Sequence, residues 1–430
     1  MASVRPTVGD SSWFTHDRFG MFIHWGTYAL AARHEWVKHV EQIPDKEYQK
    51  YFKHFDPDLY DPKLWAELAD EAGMKYFVIT TKHHEGFALW DSKLTDYKAT
   101  NTPAGRDLIR PMVDAYRERD LHVGLYHSLI DWHHPDFLID DVHSMRGVPE
   151  REKLNASRDQ SKYWQYLHGQ VRELLTGYGK VDLMFYDFSY PPQKGHLDWN
   201  SEELIKLTRE LQPHILVNDR LDLMDTKGGW DYRTPEQFML REWYKVNGRP
   251  VVWETCQTFS GSWGYHRDEQ TWKSIEQLLT MLIDTVSKGG NLLLNVGPTG
   301  RGEFDYRAVE RLKGMGEWMR RHGRSIYGCT EAPSKYPTPQ DCRLTWNPEK
   351  KRMYVHVLNW PIVQLHLDGF GGKVEYAQLL HDASEVRFSQ PSVHELEALG
   401  PAAAERNTLM LNLPVIKPNV AIPVIELFMK

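Results

Sequence analysis

Asp61–Phe87 reads DPKLWAELADEAGMKYFVITTKHHEGF, and this stretch decides the fold. Pro62 near its start and Gly73 just past its helical pattern are the start and stop signals of a helix. From Tyr76 the pattern becomes a short apolar run, Tyr76–Thr81, as suits a strand buried on both faces. The run ends on four polar residues: Lys82, His83, His84 and Glu85. Helix, buried strand and polar strand end in that order make one unit of a parallel sheet with crossover helices.

The same unit recurs in both directions along the chain. Apolar runs lie at Met21–Trp25, His122–Tyr126, Asp182–Tyr186, Ile215–Asn218, Val251–Trp253 and Asn291–Val296. Helical spacing fills the intervals, in RDLIRPMVDAYRERD, Asn155–Gly177, SEELIKLTREL, TWKSIEQLLTMLIDTVSKGG and Asp305–His322. Seven visible strands predict an α/β protein with a (β/α)8-like barrel over residues 1–330. A doubly wound sheet is the alternative, but no G-x-G-x-x-G follows the first run. Beyond Tyr327 the pattern alternates instead, in KRMYVHVLNW, VQLHLDGF, TLMLNLP and PVIELFMK. Those runs predict an antiparallel β-sandwich over residues 331–430.

Composition narrows the function. With 52 basic and 59 acidic residues in 430, the chain carries a net charge of −7, so nothing draws it to a phosphate backbone, and nucleic acid is not an expected partner. No uninterrupted apolar run is long enough to span a membrane. The opening MASVRPTVGDSSWF shows no basic-then-apolar signal, and Cys256, Cys329 and Cys342 show no C-x-x-C spacing, so the expected setting is the cytosol. The 21 histidines, 16 tryptophans and 21 tyrosines suit a polyhydroxylated, part-apolar ligand such as a sugar, although a large aromatic core gives the same surplus.

Where those residues fall favours a site. Strand after strand ends in polar groups: His24; then His83 and His84; Tyr126 and His127; Asp187; Asn218, Asp219 and Arg220; Glu254; Asn295. Barrel enzymes build active sites on that face. Asp187 follows Leu183-Met184-Phe185-Tyr186, which puts a carboxylate at the mouth of a buried strand, suited to covalent attack on an electron-deficient carbon. Glycoside cleavage needs a second carboxyl group. Glu236, in GGWDYRTPEQF, and Glu254, in WETC, both qualify. Against Glu236 stands a bland reading, in which Thr234, Pro235 and Gln237 start a helix and the glutamate serves its dipole. A metal centre is poorly supported: His34 and His39 are five apart, no H-x-H occurs, and the neighbours His83-His84 and His133-His134 point in opposite directions on a strand. Lone histidines such as His168 and His356 suit structural roles.

In this order FGMFIHWG, KHHEGFALWDS, GLYHSLIDWHHP, VNDR, WETC with SWGY, and GGNLLLNVGP resemble the retaining α-L-fucosidases of glycoside hydrolase family 29, from about Trp13 to Tyr327. The resemblance implies Asp187 as nucleophile. It implies a fucose pocket lined by His24, Glu35, Trp36, His83, His84, Tyr126, His127 and Arg220, with Trp253 and Trp263 nearby. It aligns the acid/base with the TPEQ segment, hence Glu236, with Glu254 as second choice. Two departures bear on specificity. Phe185 and Phe188 stand where the family usually has tryptophan and glycine, and His127 stands where a second tyrosine is common.

The resulting expectation is an exo-acting, retaining enzyme that removes terminal α-L-fucose from a fucosylated oligosaccharide or glycoside by double displacement, without metal or cofactor. Homo-oligomerisation is left open. A metal-dependent barrel hydrolase and a carbohydrate-binding protein on an inactive glycosidase scaffold are the alternatives.

Overall fold

The computed structural model describes residues 3–189, 199–400 and 404–430. Eight strands form the first sheet: β1 (Phe19–Ile23), β2 (Tyr76–Lys82), β3 (His122–Ser128), β4 (Leu183–Asp187), β5 (Leu216–Val217), β6 (Tyr232–Arg233), β7 (Val252–Thr258) and β8 (Asn291–Val296). Every pairing is parallel, in the order β5-β4-β3-β2-β1-β8-β7-β6. A single parallel bridge from Asn218, just past β5, to Tyr232 of β6 closes the ring. The sheet is thus a (β/α)8-like barrel. One strand, β6, escapes the apolar-run reading. At two residues it is too short to show a pattern, and its neighbours hold it in place.

Period-two alternation sorts the barrel side chains. Phe22, Tyr76, Val78, Tyr126, Leu183, Phe185, Leu216, Tyr232, Val252, Cys256 and Leu293 fill the interior. The intervening residues, among them Met21, Ile23, Phe77, Ile79, Leu125, Met184 and Leu294, pack outward against the helices. Burial on both faces is why these strands read as unbroken apolar runs.

The helices around the barrel include α1 (Pro62–Glu71), α2 (Ile109–Arg117), α3 (Gln160–Gly177), α4 (Ser201–Leu211), α5 (Ile275–Val286) and α6 (Tyr306–His322). Asp61 caps α1 by accepting from the amides of Lys63 and Leu64, which satisfies two otherwise orphaned donors. The helix expected from Asn155 is interrupted. A short turn ends at Asn155, and Asp159 starts α3 afresh by capping the amide of Ser161.

Strands β9 (Thr330–Glu331), β10 (Cys342–Asn347), β11 (Arg352–Val357), β12 (Gln364–Leu367), β13 (Val374–Leu379), β14 (Phe388–Ser389), β15 (Leu409–Asn412) and β16 (Val424–Met429) form two antiparallel sheets, β9-β10-β11-β16-β13 and β12-β15-β14. Leu344, Val355, Leu367, Phe370, Leu411 and Ile425 share the core between them, which makes this part a β-sandwich. It packs directly on the barrel: the Trp318 indole donates to the Ile422 carbonyl at 2.8 Å, and Arg343 pairs with Asp284 at 2.6 Å.

Candidate active site

The C-terminal ends of the barrel strands enclose a cavity of about 350 Å³. Of the residues singled out from sequence, His24, Trp36, His83, His84, Tyr126, Asp187, Arg220, Glu236 and Trp263 line it. Phe22, Phe185, Phe188, Ser189 and Cys256 line it too. Phe22 and Cys256 could have been placed by alternation, since each lies two residues from a chemically suggestive strand-end residue, His24 and Glu254.

His83 and His84 correct the expectation that adjacent residues must diverge. The β2–β3 register slips between Thr80 and Lys82, pairing Thr80 with Tyr126 and Lys82 with His127, so Thr81 is an extra residue of the kind that re-aims a strand end. Lys82 points outward to Asp131, 3.2 Å away, and faces Tyr166 of α3. The two histidines then lie beyond the strand, and both rings line the cavity, with centroids 4.0 Å apart.

Three of the expected pocket residues stand elsewhere. His127 alternates with Tyr126 and so faces the helix shell, with Nδ1 3.1 Å from the Thr81 hydroxyl and its ring edge-on to Trp90. Trp253 alternates with Glu254 and likewise points outward, donating to the Lys288 carbonyl at 3.1 Å. Glu35 is buried behind the wall, where it accepts from the Gly264 amide at 2.8 Å. It thereby ties the Trp36 loop to the Trp263 loop.

The two halves of the carboxylate question separate cleanly. Asp187 Oδ2 accepts from the Tyr126 hydroxyl at 2.7 Å and lies 3.8 Å from His84 Nε2. Asp187 Oδ1 lies 2.6 Å from Arg220 Nη1, and the same nitrogen lies 2.9 Å from Glu236 Oε2. Those two oxygens are therefore no further apart than the combined lengths, about 5.5 Å, close enough to act as a carboxyl pair. The side chain of Glu236 is 43% exposed and that of Asp187 12%, so one stands at the rim and the other deep.

No helix starts at Thr234. Glu236 instead bridges in parallel to Cys256 of β7, the Gln237 amide donating to the Cys256 carbonyl at 3.0 Å. Tertiary pairing with β7 overrides the local capping pattern. Glu254 is fully buried inside the barrel, outside the cavity wall. The Tyr76 hydroxyl donates to its Oε2, and burial pushes its pKa up to about 8.

The imidazoles of the cavity wall are uncharged. Burial lowers the His24 pKa to about 4, and lowers those of His83 and His84 as well. Each ring is therefore neutral at neutral pH, with one donor and one acceptor nitrogen. The Asn295 carbonyl oxygen lies 2.6 Å from His24 Nδ1, and its amide donates to the Trp263 carbonyl. His84 Nδ1 lies 2.7 Å from the Ser128 hydroxyl. These contacts fix the rings of His24 and His84. Among the described residues no three His, Cys, Asp or Glu side chains gather as a metal-binding group, and no helix is long and apolar enough to cross a membrane.

A barrel whose strand ends bring paired carboxylates, neutral imidazoles and aromatic faces to one cavity defines a glycoside hydrolase. The α-L-fucosidase family model matches residues 7–324, and the chain belongs to that family. The α-L-fucosidase isoenzyme 1 of Paenibacillus thiaminolyticus has a similar structure, with a TM-score of 0.90 and 44% identity over 98% of each chain. Human plasma α-L-fucosidase is 29% identical over 90% of this chain and 87% of its own. A family 29 α-L-fucosidase of Bacteroides thetaiotaomicron, described as a trapped covalent intermediate with 2-fluoro-fucosyl fluoride, gives a TM-score of 0.83 at 28% identity, over 100% of this chain and 98% of that one.

Proposed function

We propose that this chain is an exo-acting, retaining α-L-fucosidase working by double displacement, with Asp187 as nucleophile and Glu236 as general acid/base. One observation supports the reading: a single guanidinium nitrogen of Arg220 reaches both carboxylates, so their facing oxygens lie within about 5.5 Å of each other, as the close-set pair of a retaining enzyme requires. The trapped covalent intermediate of the Bacteroides relative supports it.

In the first step Asp187 attacks the anomeric carbon while Glu236 gives its proton to the leaving oxygen, and a fucosyl ester forms on Asp187. In the second, Glu236 takes a proton from water, the water oxygen attacks the same carbon, and the ester bond breaks with net retention. Arg220 and Tyr126 orient the Asp187 carboxylate. His24, His83 and His84 hold ring hydroxyls, and Phe22 and Trp263 supply apolar surface for the methyl group and the apolar face of the sugar. The substrate class is a terminal α-L-fucoside on an oligosaccharide or glycoside.

The test is Asp187→Ala assayed on an aryl α-L-fucoside, together with NMR of the first-formed fucose anomer. The expected results are loss of turnover with an unchanged thermal midpoint, and α-L-fucose as the native enzyme's first product. Near-native turnover by the variant, or an inverted product, would overturn the reading.

A further inference from the structure

Ser128 is wholly buried at the end of β3 and does not line the cavity, yet its hydroxyl is fully engaged. The oxygen lies 2.8 Å from the Ile130 carbonyl. A carbonyl has no proton to give, so the Ser128 hydroxyl is the donor there. It also accepts from the Ile130 amide at 3.2 Å. A hydroxyl has one proton and two lone pairs, so what remains for His84 Nδ1, 2.7 Å away, is a lone pair. The proton of that contact therefore sits on His84. Burial holds the His84 pKa well below its ordinary value, so the ring is neutral, and a neutral imidazole carries one N–H only. With Nδ1 protonated, Nε2 keeps its lone pair.

That lone pair stands beside the nucleophile. His84 Nε2 lies 3.8 Å from Asp187 Oδ2, which already accepts from the Tyr126 hydroxyl at 2.7 Å. Two acceptors facing each other call for a donor from outside, and the sugar offers one in reach, the hydroxyl on the ring carbon next to the one that Asp187 attacks. We propose that Ser128 is a positioning residue, which by fixing the His84 tautomer makes Nε2 the acceptor for that 2-hydroxyl. The proposal rests on the reading of Asp187 as nucleophile. A proton given to Nε2 leaves the 2-hydroxyl oxygen richer in electrons beside a carbon that turns positive in the transition state. The opposite tautomer would aim an N–H at the Asp187 carboxylate and damp its attack.

Two measurements test it. In the native enzyme with isotope-labelled histidine, nitrogen NMR should show His84, identified by the signals lost in His84→Gln, protonated at Nδ1 and bare at Nε2. An Nε2–H tautomer overturns the proposal, whatever the fate of a Ser128 variant. Ser128→Ala is then compared with the native enzyme on 4-nitrophenyl α-L-fucoside and its 2-deoxy counterpart. The variant's kcat/KM should fall about tenfold on the fucoside, the weight of one hydrogen bond, and less than about twofold on the 2-deoxy substrate, which has no hydroxyl for Nε2 to accept. Equal falls on both substrates would mark a purely structural role, and no fall on either would make the tautomer immaterial; each overturns the proposal while leaving the catalytic assignment intact. Turnover of the fucoside that survives Asp187→Ala would instead sink that assignment and this proposal with it.

Discussion

Arg220 Nη1 stands 2.6 Å from Asp187 Oδ1, and the guanidinium also reaches the Thr234 carbonyl at 3.2 Å through Nη2. A planar, always-charged fork can hold a deep carboxylate, a rim carboxylate and the backbone between them at once, which a lysine point charge cannot. Arg220→Lys should therefore lower kcat/KM on an aryl α-L-fucoside by about ten- to a hundredfold, the weight of one or two charged hydrogen bonds, with KM changing less than kcat. Kinetics within twofold of native would show that the bridge is incidental.

Glu236 and Glu254 can be told apart chemically. With the acid/base removed, azide, which needs no proton taken from it, can complete the second step. Azide should restore turnover of an activated fucoside by Glu236→Ala about tenfold or more, toward the ~10²–10⁴-fold that general acid/base catalysis contributes. Glu254→Ala should gain nothing from azide, because its side chain lies inside the barrel and off the cavity wall. Rescue of Glu254→Ala alone would move the role to Glu254.

Burial gives Glu254 a different signature, in stability. Its pKa is raised from 4.5 to about 8, so between those values the folded protein keeps a proton that the unfolded chain has lost. Fewer protons bound in the unfolded state mean that stability falls as pH rises through that window. The Glu254 contribution is whole below pH 4.5 and gone above about 8. Glu254→Gln keeps the shape of the neutral carboxyl and does not titrate. Its thermal midpoint, relative to native, should climb from pH 5 to pH 8 and then level off. A constant difference across that range would refute the shift.

Much of the barrel was legible because a parallel strand covered on both faces is mostly apolar, and Tyr76–Ile79 and Leu292–Leu294 are apolar runs buried throughout. Tyr232–Arg233 was not, because what makes it a strand is the pairing to Val252–Trp253, far along the chain. The site shows the same division. Asp187 and Arg220 announce themselves at strand ends, whereas the shared orientation of His83 and His84 depends on one extra residue in β2, a register effect that no local pattern carries. His127 and Trp253 lie off the cavity because alternation with Tyr126 and Glu254 turns them outward. Local chemistry marks a polar strand end, but the pleat decides which of two neighbours faces the substrate.

Lys82 and Asp131 form an ion pair that is almost wholly buried, the side chains 0% and 1% exposed at 3.2 Å. Asp131 Oδ1 also accepts from the amides of His133 and His134, while the Trp132 amide donates to the His84 carbonyl at 2.8 Å. The pair thus pins the loop after β2 to the loop after β3. Breaking one side leaves a charge buried without its partner, which costs roughly 3–5 kcal/mol. Lys82→Met should accordingly lower the thermal midpoint sharply. Adding Asp131→Asn removes the stranded charge yet retains an acceptor for both amides, so the double variant should be more stable than Lys82→Met alone. Calorimetry of the three proteins decides it: a double variant no more stable than the single one would show that the two charges do not act as a pair.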